Sequence, residues 1–229
     1  MMMKSIKYIC PFNVCLLVLL FVMYMASSCN KPGGDYNYVN TENTYSGTGY
    51  EYIAGKTGVY DSLVKAINRI PWLKDSLSSE ATSLTLFAPS NASFRLIMST
   101  LNIARTSAGK SLLYINDFDV PNLDSIISRY VIRGKISTSS IQFVDGLDLT
   151  SILNNYPMHG QRSFSEATGF QAGGPTNIIF SDTKKSPFIR DWIRTQTNVV
   201  NIVTKNGVVH SLQPEHELGF GEFISRFNK

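Results

Sequence analysis

Two β-branched runs on either side of Asn206-Gly207 constrain this chain more than any other feature. Asn198-Val-Val-Asn-Ile-Val-Thr204 precedes the pair and Val208-Val-His-Ser-Leu212 follows it. Asn-Gly between such runs signals a hairpin, because both residues can take positive φ. Asn177-Ile-Ile-Phe180 reads as a further strand. Upstream, the apolar period lengthens. Val59, Leu63, Ile67 and Ile70 line one face of a helix that Pro71 ends. Thr85-Leu-Phe-Ala88 reads as a short buried strand closed by Pro89. Ser90 then caps a second helix with Phe94, Ile97, Met98 and Leu101 facing inward. Leu123, Ile126, Ile127 and Tyr130 mark another helical face opening after Pro121, and Val131-Ile132 leads to a turn at Gly134. Helices first and paired strands later indicate an α+β domain.

A chain of 229 residues suits one domain of roughly 150 to 200 residues with appendages. The N-terminus has the layout of a signal peptide over residues 1–28. Lys4 and Lys7 come first, then an apolar run from Val14 to Met25, then the small residues Ala26, Ser27 and Ser28. Cys29 follows directly, which resembles the lipoprotein signal of Gram-negative bacteria, although Ala26 stands where that pattern more often has Leu. The resemblance implies cleavage before Cys29 and a lipid on its thiol. Ordinary secretion and a retained helix are the alternatives, and the run is shorter than the roughly 17 to 25 apolar residues that span a bilayer. Asn30 rather than Asp follows the cysteine, so the expected location is the outer membrane, lipid-anchored, with cell-surface exposure open. Cys10 and Cys15 leave with the signal, so no internal disulfide is expected. Residues 29–56, rich in Gly, Asn, Thr and Tyr, read as a flexible tether before a single domain over 57–229. Tyr36, Tyr38, Tyr45, Tyr50 and Tyr52 are the tether residues that could instead pack on the domain or touch a partner. Without Lys4 and Lys7 the 21 basic residues fall to 19 against 17 acidic ones. That balance, with no basic block, gives no electrostatic footprint for nucleic acid.

Thr85-Leu-Phe-Ala-Pro-Ser-Asn-Ala-Ser-Phe94 resembles the first sequence block of fasciclin-like (FAS1) domains, and Asn206-Gly-Val-Val-His210 resembles the second. Thr85, Phe87, Ala88, Pro89, Phe94, Asn206, Gly207 and His210 carry the match. The resemblance implies helices packed on a small β-sheet sandwich or wedge with a C-terminal hairpin. Arg129-Tyr130 stands where the family has Tyr-His, so an interaction needing that histidine is absent. Animal members have an Asp-Ile pair implicated in integrin binding, and Asn201-Ile202 occupies that place. Asn201 lacks the carboxylate, so integrin-type contact is disfavoured.

Signals for catalysis are weak. Gly55-Lys56-Thr57 and Gly109-Lys110-Ser111 lack the upstream glycine of a phosphate-binding loop, with Tyr50 and Ala104 in its place. His159, His210 and His216 do not have the spacing of a zinc site. His159 falls in an expected solvated loop and His210 in a structural role near the hairpin. No catalytic residue, cofactor or metal is expected. Asp61-Ser62, Asp75-Ser76 and Asp124-Ser125, each followed by an aliphatic residue, resemble an O-glycosylation acceptor of exported proteins. Helix first-turn chemistry explains the same pattern.

The reading that follows is a non-catalytic binding or adhesion module at the envelope, with a protein or glycan ligand. The alternative is an accessory or structural subunit of an outer-membrane glycan-uptake or other envelope complex. A large exposed apolar patch favours the latter, and an aromatic surface flanked by polar side chains favours glycan contact. The segment from Tyr156 to Pro175 is expected to be a long loop whose Tyr156, Arg162, Phe164 and Phe170 contact a partner. A two-stranded excursion with its aromatics covering the sheet is the alternative.

Overall fold

The structure is a computed structural model that describes residues 43–164 and 174–229. Cys29, the signal segment and Phe170 lie outside the described residues. Seven strands form one mixed sheet: β2 (Leu84–Ala88), β3 (Val131–Arg133), β4 (Leu147–Thr150), β5 (Pro157–Phe164), β6 (Thr176–Asp182), β7 (Ile193–Thr204) and β8 (Gly207–Leu212). Their spatial order is β3-β2-β8-β7-β6-β5-β4, and the short β1 (Asn43–Thr44) pairs in parallel with β7. β7 bridges the two halves. Its first four residues pair with β6 and the remainder with β8. The ends of the sheet meet where Ile132 bridges Ser151 and the Ile152 N–H donates to the Val131 carbonyl at 2.8 Å. The sheet is thereby nearly closed into a barrel.

The two blocks that carry the family resemblance are neighbours. β2 and β8 run parallel with Thr85 opposite Val208 and Phe87 opposite His210. Each block residue has a packing reason. The Thr85 hydroxyl donates to the Gly134 carbonyl at 2.7 Å and accepts the Ile136 N–H at 2.8 Å. The Phe87 ring stacks on Phe180 at 3.9 Å and on His210 at 5.0 Å. Side chains of this kind contribute about 1.5–3 kcal/mol each when fully buried.

Six helices cover the barrel: α1 (Gly49–Gly55), α2 (Asp61–Asn68), α3 (Pro71–Ser78), α4 (Asn91–Ser107), α5 (Val120–Ile127) and α6 (Phe223–Phe227). Ser90 caps α4 by accepting the Ala92 N–H, and Phe94, Ile97 and Leu101 are buried. Leu63, Ile67 and Ile70 are buried as the spacing predicts, while Val59 is exposed. Pro71 does more than stop α2. It occupies the first turn of α3, where its missing N–H costs nothing, and Leu73 and Leu77 bury that helix.

The tether expectation is corrected for residues 43–56, which belong to the fold. Thr48 and Glu51 form a reciprocal capping box at the start of α1, and Ile53 is buried. Tyr45 and Tyr52 pack edge to face at 5.4 Å, and Tyr50 donates to Asn68 at 2.7 Å. Tyr36 and Tyr38 lie outside the described residues.

The hairpin exists, but its geometry differs from the expectation. Thr204 pairs with Gly207, so Lys205 and Asn206 form the turn, and neither Asn206 nor Gly207 adopts a left-handed φ. A Cβ at Gly207 would overlap the Leu84 carbonyl oxygen, so close approach of β2 demands the glycine. Asn206 is a tie between elements. Its carboxamide accepts the Gly49 N–H at 2.8 Å and donates to the carbonyls of Leu77 at 2.8 Å and Ser79 at 3.0 Å.

Candidate binding cleft

Two tight turns build the site. Tyr156 donates its N–H to the Leu153 carbonyl at 3.3 Å, and Ser186 donates to that of Thr183 at 2.8 Å. The central residues of both turns are left-handed: Asn154 (φ 54), Asn155 (φ 48), Lys184 (φ 52) and Lys185 (φ 57). Positive φ at both central positions is the type I′ geometry, at which Asn is tolerated and Lys is strained. Asp182 compensates. One of its oxygens accepts both the Lys184 N–H at 2.8 Å and the Tyr156 hydroxyl at 2.9 Å, which locks the two turns to each other.

Behind the turns lies a partly buried ionic network, with Arg129 and Asp182 buried and Lys184 and Glu222 half-buried. Arg129 contacts Asp182 at 2.9 Å and grips Glu222 with two bonds of 2.9 and 2.8 Å. Lys184 adds bonds to Glu222 at 2.8 Å and to the Phe220 carbonyl at 2.7 Å. The Tyr156 ring lies 4.4 Å from the Arg129 guanidinium. Burial opposes the Arg129 charge, but Glu222, Tyr156 and Asp182 outweigh it and raise its pKa. Burial also opposes the Glu222 charge, yet its bonds to Arg129, Lys184 and Arg226 hold its carboxyl well below the usual range. Burial, with Asp182 nearby, raises the Tyr156 pKa.

Tyr130 and the histidines are equally committed. The Tyr130 hydroxyl shares a hydrogen bond with His216 Nε2 at 2.6 Å and accepts the Gly219 N–H at 2.8 Å. His210 Nδ1 accepts the Asn201 N–H at 3.1 Å, and its Nε2 faces the Ile136 carbonyl at 2.9 Å. Burial pushes His210 down to about 4 and His216 to about 3, so both rings are neutral at neutral pH. His159 is not in a solvated loop. It lies on β5, 6% exposed, with Nε2 at 2.9 Å from the Asp145 carbonyl and its ring 4.7 Å from Trp192.

In front of the turns is a cleft of about 570 Å³. Leu149 and Met158, core residues, form its base, and Asp148, Thr150, Asn155 and Lys185 stand exposed on its rim. Trp192 lines one side. Its indole N–H donates to the Ser186 carbonyl at 2.9 Å, and the Ser186 hydroxyl in turn donates to Asp191 at 2.7 Å, so the ring is held in place. The side chains of Asp148 and Asn155 make no hydrogen bond among the described residues.

Of the sequence-predicted contact residues, Arg162 and Phe164 lie together but away from Tyr156, and Phe170 lies outside the described residues. Tyr156 belongs to the ionic network, whereas Arg162 and Phe164 lie toward the other end of β5, roughly 25 Å along the strand for Phe164. There the Arg162 guanidinium sits 5.7 Å from the Phe164 ring, which packs 5.4 Å from Phe143. Residues 157–164 are strand and pair with β6, so the two-stranded alternative holds over that stretch and the expected loop does not. Ser62, Ser76 and Ser125 are half-buried within α2, α3 and α5. Asp61 opens α2, but Asp75 and Asp124 are mid-helix, so first-turn chemistry accounts for only one of the three. Asn201, at the family's integrin-linked position, is buried at φ 60 in a bulge, with its carboxamide bonded to Thr138. Sequence reasoning missed Trp192, Asp148, Asn155 and Lys185. The readable signal was Asn154-Asn155 between strand-like segments, a favoured type I′ pair.

A second surface lies along α4. Leu96, Ile103, Leu112 and Tyr114 are 48–65% exposed there, beside a groove of about 330 Å³ that includes Met98 and Ile115.

Residues 58–213 match the Fasciclin domain. Among solved structures, the chain is similar to a FAS1 domain pair from the insect cell adhesion molecule Fasciclin I, at 13% identity and a TM-score of 0.48. The match covers 72% of this chain and 49% of that one, so the chain spans about half its length. No curated protein matches the chain.

Proposed function

Because this chain belongs to the fasciclin domain family, whose members are generally non-catalytic binding modules, we propose that it is a binding and adhesion module held at the outer membrane by a lipid on Cys29. One observation carries the binding role. The Trp192 cleft is pre-formed, with an aromatic wall held by a hydrogen bond and, on its rim, the side chains of Asp148 and Asn155, which make no hydrogen bond among the described residues. The buried Arg129–Asp182 pair, Tyr130, His210 and His216 are all engaged in structural bonds. Pull-down from detergent-solubilised envelope with the mature protein tests the reading. Retention of an envelope component, lost in Trp192→Ala at an unchanged melting temperature, is the expected result. Equal retention by wild type and variant overturns the cleft as the contact surface.

A second reading has its own support. The exposed apolar side chains on and beside α4 suit docking against another subunit of an envelope complex, such as a glycan-uptake system. Ile103→Asp with Leu112→Asp removes that patch without touching the cleft. Loss of co-purifying protein in this double variant alone favours the accessory role.

A further inference from the structure

We propose that the Trp192 cleft binds a neutral saccharide, stacked on the indole and held by Asp148 and Asn155. The proposal rests on the binding-module reading and names the ligand class for its site. Two observations and the chemistry of the indole ring carry it. The cleft volume of about 570 Å³ lies within the roughly 300–1,000 Å³ of small-ligand sites. The Trp192 N–H is already committed to Ser186, so what the indole offers a ligand is its π face. That face is electron-rich and attracts the weakly positive C–H groups of a pyranose ring.

The rim chemistry selects among ligands. Asp148 supplies two acceptor oxygens and Asn155 an acceptor with two donors, a set that matches neighbouring hydroxyls, each both donor and acceptor. Thr150 and Lys185 add a hydroxyl and an ammonium on the same rim. One carboxylate and one ammonium offset each other, which disfavours an anion or a cation as the occupant. The apolar base of Leu149 and Met158 accommodates the carbon skeleton between the polar contacts. The geometry is pre-paid by the fold. Asn155 is presented by one left-handed turn and Lys185 by the other, and Asp182 fixes the two turns together through Tyr156 and the Lys184 N–H. Strained backbone kept at non-glycine residues is characteristic of ligand sites.

Tryptophan fluorescence reads the site directly, since Trp72 and Trp192 are the only tryptophans. In a Trp72→Phe background, the mature protein is titrated with cellotetraose, maltotetraose, xylotetraose and tetra-N-acetylchitotetraose up to about 10 mM, which reaches dissociation constants of millimolar order. A saturable change in Trp192 emission with at least one of them is expected. Asp148→Ala and Asn155→Gly should each weaken that binding at least about tenfold. Glycine keeps the left-handed φ of Asn155, so the second variant removes the carboxamide and leaves the turn. No emission change with any tetrasaccharide, or undiminished binding by both variants, overturns the proposal. If envelope components are still retained through Trp192 in that case, the saccharide assignment alone fails. If neither is bound, the binding-module reading fails with it.

Discussion

Gly207 lies directly beneath the Leu84 carbonyl, with no room for a side-chain atom between β8 and β2. Any Cβ at this position forces the backbones apart. Gly207→Val should therefore cost about 3 kcal/mol or more, at the upper end of overpacking penalties. Gly207→Asn should be as damaging as Gly207→Ala, because the obstacle is space rather than φ. Chemical denaturation of the three variants checks this, and a well-tolerated Asn would restore the turn explanation.

Asn201 uses its carboxamide to accept the Thr138 N–H at 2.9 Å and to donate to the Thr138 hydroxyl at 2.6 Å. Asn201→Asp supplies the carboxylate that integrin-linked family members have, but it removes the donor and buries a charge. A loss of about 1–3 kcal/mol is expected from the unmet bonds. No gain of Mg²⁺- or Mn²⁺-dependent adhesion to integrin-bearing cells should accompany it, because the site is buried. Thermal melts and a cell-adhesion assay decide both points.

Acid should destabilise the fold before most carboxylates protonate. The folded pKa values of His210 and His216, about 4 and about 3, lie below their unfolded value. Between about pH 6.5 and those values the unfolded chain binds protons that the native state refuses. Stability is therefore full above that window and falls as pH falls through it, by up to about 1.4 kcal/mol per pH unit for each histidine. Glu222, held low by its cations, adds a loss as pH falls below its ordinary range. Urea midpoints across this range test the slope, and His210→Gln should flatten it. A level profile between about pH 6.5 and about pH 5 contradicts the assignment.

Arg129 neutralises two acids from different parts of the chain, Asp182 at the end of β6 and Glu222 before α6. Arg129→Ala leaves Asp182, which is 0% exposed, without its main cation and should cost about 3–5 kcal/mol. Arg129→Lys should lose less, since one ammonium keeps the charge but cannot grip Glu222 with two bonds. Calorimetric melting of the pair gives the order.

Cys29→Ser tests the anchor. A lipoprotein carries more than one acyl chain, which stable membrane attachment requires. The variant should move from the membrane fraction to the soluble fraction, or accumulate with its signal uncut. Normal maturation with continued membrane attachment would remove the lipid from the proposal.

How much of this was legible depends on whether the signal was local. Ser90, Pro89 and Phe94 act on their own neighbours, so the β2–α4 junction could be read from the sequence, and the structure agrees. Gly207 was picked out correctly for a reason that does not hold, because the atom it makes room for belongs to a residue about 120 positions away. Thr48-x-x-Glu51 is a capping box, but its glycine- and tyrosine-rich surroundings mask it in the sequence, and the Asn206 carboxamide that holds the Gly49 N–H is 157 residues away. Trp192 had no local pattern at all. Its role comes from Ser186 and His159, which reach it through a turn and a strand.

The parallel pairing of β2 with β8 also governs when the molecule can exist. Parallel neighbours cannot be joined by a tight turn, and closing a loop of this length costs entropy before any contact is gained. Topologies ruled by such pairs fold in milliseconds to seconds rather than microseconds. Helices α1 to α5 precede residue 128 and can gather on local contacts, yet β2 stays without its inner neighbour until β8 arrives. A stop codon late in the reading frame would therefore remove structure from the beginning of the domain.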